Sequence, residues 1–163
     1  MAQPDTDTTT DERRIKAAFL YKFAAYVEWP EGVFARPDTP VVIAVDGDDK
    51  LADELTQVVT GRTVAGRALT VRKLKKDASP VGVHILFASD VREDRPPLSG
   101  TQSQPILVVT DSLGALARGS TINFVIIDQH VRFEVSLVDA ERRGLKLSAR
   151  MLAVANSVRT GRP

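Results

Sequence analysis

The chain has 163 residues, a formal net charge of +1 and an apolar fraction of 43%. This length is typical of one domain with its own core, and the balanced charge argues against a nucleic-acid-binding surface. The absence of cysteine excludes disulfides, thiol nucleophiles and cysteine-ligated zinc. No apolar run approaches the roughly 18 residues of a membrane span, so we expect no direct membrane insertion.

The beginning of the chain divides into a polar segment and a helix. Residues 1–10 are polar and are expected to be disordered, whereas residues 11–160 are expected to form a single domain. Apolar residues recur at helical spacing over residues 12–27, which predicts a long helix with apolar side chains on more than one side. Pro30 and Gly32 end it.

Strand and helix patterns alternate after this helix. Strands are predicted at residues 41–45, 68–74, 83–88 and 106–109, and a β-hairpin at residues 121–127 and 131–135. The last helix is predicted at residues 148–158, with Leu152, Val154 and Ala155 facing inward. The order predicts an α/β three-layer sandwich, with a central mostly parallel sheet, helices on both faces and a C-terminal antiparallel β-hairpin at one edge.

Known catalytic and metal-binding patterns are missing from the sequence. His84 and His130 are far apart and have no second ligand at metal-binding spacing, so a structural role is favoured for both. The acidic turn at residues 46–49 lacks the glycine position and the final glutamate of an EF-hand. There is no phosphate-binding loop and no Gly-x-Ser-x-Gly elbow. We therefore expect a protein that is not an enzyme and has no cofactor or metal.

Aromatic residues are concentrated in the first helix and just after it. They are Phe19, Tyr21, Phe23, Tyr26 and Trp29. One interpretation is a helix packed inside the core. The other is a surface that contacts a partner protein or a second copy of the chain, since aromatic side chains bury much area at interface centres.

Polar residues of the predicted hairpin form a second cluster. Arg132 and Glu134 lie on the same face of a strand, opposite Val131, Phe133 and Val135. They either form a structural ion pair or point into a groove. We interpret Asn123, Arg132, Glu134 and Lys146 as a candidate polar groove for a small anionic ligand.

Taken together, the ordered segments of the sequence resemble the YfiR family. The resemblance starts in residues 14–30, with a Lys-Ala-Ala-Phe-Leu-Tyr helix that ends in Glu-Trp-Pro. Family-like segments follow in order at residues 42–49, 84–87, 105–111, 119–124, 131–135 and 144–148.

The resemblance implies a periplasmic regulator that dimerises and represses an inner-membrane diguanylate cyclase by binding its periplasmic domain. Repression lowers cyclic di-GMP and biofilm formation. The sequence departs from the family in two ways: it lacks the cysteines of redox-controlled members, and its first residues are not expected to be a signal peptide.

Two alternatives stay open. The first is a periplasmic small-molecule sensor or carrier. Its ligand would lie at the carboxyl ends of the parallel strands, near Asp46, Ser89, Asp90 and Asp111. The second is an enzyme of an unrecognised type.

Overall fold

The computed structural model describes residues 4–74, 81–89 and 104–160, with the side chains of the first helix described from residue 11 onward. The helices are α1 (Pro4–Tyr26), α2 (Asp49–Val59), a 3₁₀ helix (Ala115–Arg118), α3 (Leu137–Arg142) and α4 (Ala149–Val154). The strands are β1 (Val27–Glu28), β2 (Val41–Asp46), β3 (Thr63–Val64), β4 (Arg67–Leu74), β5 (Ile85–Ala88), β6 (Leu107–Thr110), β7 (Ile122–Ile127), β8 (His130–Ser136), β9 (Lys146–Leu147) and β10 (Ser157–Arg159).

Eight strands form one sheet in the order β10-β8-β7-β6-β5-β2-β4-β3. The run from β4 to β7 is parallel, β7 and β8 form the predicted antiparallel hairpin, and β10 pairs in parallel with the outer side of β8. The short strands β1 and β9 pair separately. The predicted fold class, a mostly parallel central sheet with helices and an antiparallel hairpin, is confirmed.

The core follows from the alternation of side chains along the strands. Ile43 and Phe87 belong to the larger cluster, which packs under α1 and α2, while Ala44 and Leu86 belong to a second cluster on the opposite face. The two long helices α1 and α2 therefore share one face. On the opposite face, within the described ranges, the 3₁₀ helix places Ala115 against Ala88.

A buried ion pair fixes α3 to the sheet. Arg143 Nε donates to Asp139 Oδ2 at 2.6 Å, and the Thr121 hydroxyl donates to the same oxygen at 2.6 Å. Arg143 also donates to the carbonyl oxygens of Gly119 and Gln104, which precede β7 and β6. Because Asp139 and Arg143 are only 3% and 2% exposed, α3 is held at the amino ends of these strands by charges that water does not screen.

The first helix differs from its predicted bounds. It begins at Pro4 rather than near residue 12, so the backbone of residues 4–10, expected to be disordered, continues the helix. Proline is well suited to the first turn of a helix because its missing N–H would have no partner there. Residues 1–3 lie outside the described part of the chain.

The last helix was predicted too long. It ends at Val154, and residues 157–159 form β10 instead. Asn156 N donates to Phe133 O at 2.7 Å. The segment therefore pairs with the edge of β8 instead of continuing the helix. Tertiary pairing of this kind commonly overrides a weak helix propensity. The inward orientation predicted for Val154 was wrong: its side chain is 62% exposed, and Met151 takes the buried position.

Candidate functional site

Open α/β sheets usually bind ligands at the carboxyl ends of their parallel strands. In this protein, Arg13 and Lys16 of α1 lie beside those ends. Arg13 Nε is 3.1 Å from Asp48 Oδ1, and Lys16 Nζ is 3.1 Å from Asp111 Oδ2. Asp48 also accepts from Leu51 N at 3.1 Å, as the N-cap of α2. These carboxylates thus have partners within the chain.

The other residues expected at this end are placed as follows. Ser89 N donates to Asp46 O at 3.0 Å, which joins the ends of β5 and β2. Asp90 lies outside the described residues. A cavity of about 260 Å³ remains beside Lys16, Asp111 and Asn123. The charged groups that a carrier would use here are thus largely engaged by α1 or by neighbouring backbone.

The structure brings together only part of the predicted polar groove. Asn123 is 1% exposed. Its Oδ1 accepts from the Thr110 hydroxyl at 2.7 Å and from Ser112 N at 3.1 Å, and its Nδ2 donates to Glu134 Oε2 at 3.1 Å. Asn123 and Glu134 therefore form a structural network between β6, β7 and β8, and the buried amide is satisfied.

Arg132 and Lys146 are separate from this network. Arg132 is exposed on β8 and lines a cavity beside α1 and α4. Lys146 is exposed on β9, opposite Glu28, and lines a different cavity near Trp29. The four residues do not share one cavity in the structure.

The five predicted aromatic residues of α1 and its exit lie in different surroundings. Phe19 and Phe23 pack against Phe124 and Phe133, with ring centroids 5.1–6.0 Å apart. Phe23 is only 1% exposed, so it belongs to the core. Tyr21 lies under the guanidinium of Arg62 at 5.2 Å.

Trp29 belongs to a stack at the amino ends of the strands. The Phe34 and His84 rings are stacked with centroids 4.4 Å apart, and Trp29 is edge-on to both. Arg67 lies over Phe34 at 4.0 Å, a cation–π contact. The stack borders a cavity of about 710 Å³, which is also lined by Glu28, Glu31 and Lys146. Phe34 and Arg67 were missed in the sequence because no local pattern marks them.

His84 has a structural role in this stack. Its Nδ1 accepts the backbone N–H of Val42 at 2.9 Å, and its carbonyl accepts from Trp29 Nε1 at 3.3 Å. Burial lowers the pKa of His84, and the positive charge of Arg67 lowers it further. The neutral ring that Val42 needs as an acceptor is therefore the favoured form.

A second cavity, the side cavity, lies between α1, α4 and the outer edge of β8 and has a volume of about 480 Å³. Its apolar lining residues are Phe19, Phe23, Tyr26, Phe133, Met151, Ala153 and Val154. Three cationic residues, Lys22, Arg132 and Arg150, complete the lining, and no acidic residue is among the described residues that form it. All three cations are exposed.

These cations differ from the cations near the strand ends. Arg13 and Lys16 form close ion pairs within the chain. Across the described ranges, no ion pair or side-chain hydrogen bond involves Lys22, Arg132 or Arg150. The side cavity therefore combines apolar walls with positive charge that no described residue pairs with. Of the predicted site residues, it contains Phe19, Phe23, Tyr26 and Arg132.

Two further observations concern the described part of the chain. It contains no group of three or more His, Cys, Asp or Glu side chains placed to hold a metal ion. None of its helices is both long enough and apolar enough to cross a membrane.

The fold and the cavities define an α/β domain with aromatic and basic side chains around its surface openings. A comparison with protein families then places it: the chain belongs to the YfiR/HmsC-like family, whose model matches residues 13–156. This is the family suspected from the order of its sequence segments. No curated protein sequence matches the chain.

Proposed function

We propose that the protein is a periplasmic, non-enzymatic regulator that binds the periplasmic domain of an inner-membrane signalling protein, a diguanylate cyclase, and represses it. Membership of the YfiR/HmsC-like family over residues 13–156 is the observation that carries the proposal. Repression would lower cyclic di-GMP and biofilm formation.

The proposed mechanism is preferential binding to the inactive state of the partner. A regulator shifts a two-state equilibrium only by the difference between its affinities for the two states. Moving a partner from 99% active to 99% inactive needs a difference of about 10⁴-fold, or about 5.5 kcal/mol. A few buried anchors worth about 2 kcal/mol or more each supply this difference, and the side cavity offers room for such an anchor.

The carrier alternative is less well supported at the place where it was expected. Arg13 and Lys16 already neutralise Asp48 and Asp111 at the carboxyl ends of the strands. A ligand there would have to break these ion pairs. The side cavity, with its three cations, is the better place for a small anionic ligand.

The test has a cellular part and a biochemical part. Deletion of the gene should raise cyclic di-GMP and surface adhesion, and the wild-type gene should restore both to the original level. The purified protein should co-purify with the periplasmic domain of one of the host's membrane diguanylate cyclases. Unchanged cyclic di-GMP after deletion, together with failure to bind any of these domains, would overturn the proposal.

A homodimer is a second part of the proposal, based on the aromatic residues of α1. Phe19 and Tyr26 are partly exposed, and they line the side cavity. Analytical ultracentrifugation across a range of concentrations would detect self-association. A monomer at every concentration would exclude the dimer but leave binding to the membrane partner unaffected.

A further inference from the structure

We propose that the side cavity and the adjacent edge of β8 bind an extended, acidic and apolar segment of the partner protein, which adds to the sheet as a further strand. The inference rests on the proposed function, because it names the chemistry of the partner that this regulator would bind. Three features of the described residues support it: a strand edge, a set of cations and an apolar cavity.

The edge of β8 is only partly covered. β10 pairs with Glu134–Ser136, and Asn156 N donates to Phe133 O. In the described part of the chain, no strand pairs with residues 130–133 on that side. Because the peptide groups of alternate residues point to the same side of a strand, those of Val131 point outward like the carbonyl of Phe133. Val131 is 6% exposed in total, and the Phe133 carbonyl already accepts from Asn156 N, so the unpaired edge that an extended peptide could join is short.

The charge beside this edge fits an acidic segment. Lys22 is on α1, Arg132 on β8 and Arg150 on α4, so three separate elements bring positive charge to one opening. No acidic residue lines that opening in the described ranges. Each exposed ion pair adds little by itself, but the complementary charge favours acidic partners, repels basic ones and speeds association.

The apolar walls supply an anchor site. Met151 and Phe133 are buried at the base, whereas Val154 is 62% exposed although it lines the cavity. A volume of about 480 Å³ lies within the range of about 300–1,000 Å³ that ligand cavities usually have. An apolar side chain of the added strand would cover Val154. Carboxylates two positions away would lie on the same side, beside Lys22 and Arg150, whereas a carboxylate at the neighbouring position would point to the other face of the strand, as Arg132 does.

The probe is a fluorescent hexapeptide, Leu-Leu-Glu-Glu-Leu-Leu, which carries leucine and glutamate on both faces when it is extended. It is titrated into the full chain and followed by anisotropy. It should bind, and the same peptide with lysine in place of glutamate should not. The double variant Arg132→Glu/Arg150→Glu should weaken binding by about tenfold or more. The matched control, Lys50→Glu/Arg36→Glu, reverses two exposed cations outside the cavity and should leave affinity within about twofold. All four positions are exposed, so these variants are expected to fold.

Backbone pairing needs its own measurement. Hydrogen exchange of the Val131 amide should slow when the peptide is bound. A peptide N-methylated on its pairing edge should lose affinity. Dodecanoate, an amphipathic anion that cannot pair as a strand, should not protect that amide.

Several outcomes would overturn the inference. They are absence of peptide binding up to about 1 mM, equal binding of the lysine peptide, and an unprotected Val131 amide in the bound state. Dodecanoate binding that displaces the peptide without protecting the amide would instead identify a site for small amphipathic anions.

The two proposals fail separately. If a cyclase domain binds the wild type and Arg132→Glu/Arg150→Glu equally, the strand site is wrong but the regulatory function stands. If the peptide binds as expected and no cyclase domain does, the site stands and the proposed function fails.

Discussion

The carboxylate of Asp139 is buried, and its Oδ2 atom accepts from both Thr121 and Arg143. Its other oxygen has no hydrogen bond, and Arg142 Nη1 is 3.6 Å away. A buried charge of this kind depends on its partner, because the cost of removing it from water is repaid only while the ion pair is intact.

Arg143→Met should therefore destabilise the protein by about 3–5 kcal/mol, since it leaves the Asp139 carboxylate buried without its cation. The free energy of unfolding in urea measures this. Arg142→Met, which removes a half-exposed neighbour, should cost less than about 0.5 kcal/mol. The double variant Asp139→Leu/Arg143→Met should recover a large part of the loss. A loss below about 1 kcal/mol in the single variant would show that the pair is not needed.

His84 should make stability depend on pH. Its pKa is lowered in the folded state from the ordinary 6.5, so the unfolded chain binds a proton more readily than the folded chain. Stability from this residue is complete above pH 6.5 and is lost as the pH falls below it.

Denaturation between pH 5 and pH 8 tests this. His84→Asn keeps an acceptor for Val42 N–H and cannot gain a proton, so the decline at low pH should become shallower. His130→Asn, at the exposed start of β8, is the matched substitution that leaves His84 in place, so the decline caused by His84 should remain. Identical slopes in the wild type and His84→Asn would contradict the assignment.

At the scale of elements, Asp48 links two helices. Its carboxylate caps α2 through Leu51 N and pairs with Arg13 of α1. Asp48→Ala should thus cost about 1–2 kcal/mol, mostly through the lost cap. Asp49→Ala, one position further on and exposed, removes a favourable charge in the first turn and should cost about 0.5 kcal/mol. Equal effects in thermal unfolding would show that the cap is not important.

The strands and the two main helices were predictable because their patterns are local. Residues 41–45 form a continuous β-branched apolar run, and α2 has apolar residues at Leu51, Leu55 and Val59 on one side. The conformation of residues 157–159 was not predictable from the sequence, because β10 forms only through its pairing with β8. A segment of three exposed residues carries no pattern that reveals such a partner.

The site was predictable only in part, and for the same reason. The sequence singled out Arg132 and the aromatic residues Phe19, Phe23 and Tyr26, which do meet at the side cavity. It gave no reason to join them with Lys22 and Arg150, which are 128 positions apart along the chain. It also joined Lys146 to Asn123, although the fold places Lys146 beside Trp29.

At the scale of the whole molecule, one core connects the elements. The larger cluster includes residues of α1, α2 and every strand from β5 to β8. We therefore expect one cooperative unfolding transition. Trp29, the only tryptophan, reports on one end of the sheet through fluorescence, while far-ultraviolet circular dichroism reports on all elements. The two curves should coincide; an earlier change in fluorescence would show that residues 11–160 are not a single unit.

The ion pairs that α1 makes at the strand ends also bear on how this fold diversifies. Substitutions of Asp48 or Asp111 in the loops after β2 and β6 would break ion pairs with α1 and disturb its packing. These loops are therefore poor places for a new binding specificity to arise. The flank formed by α4 and β8 is different, because its exposed residues can change without repacking the interior. Homologues with one common scaffold can therefore differ in the surface of this flank while keeping the same interior.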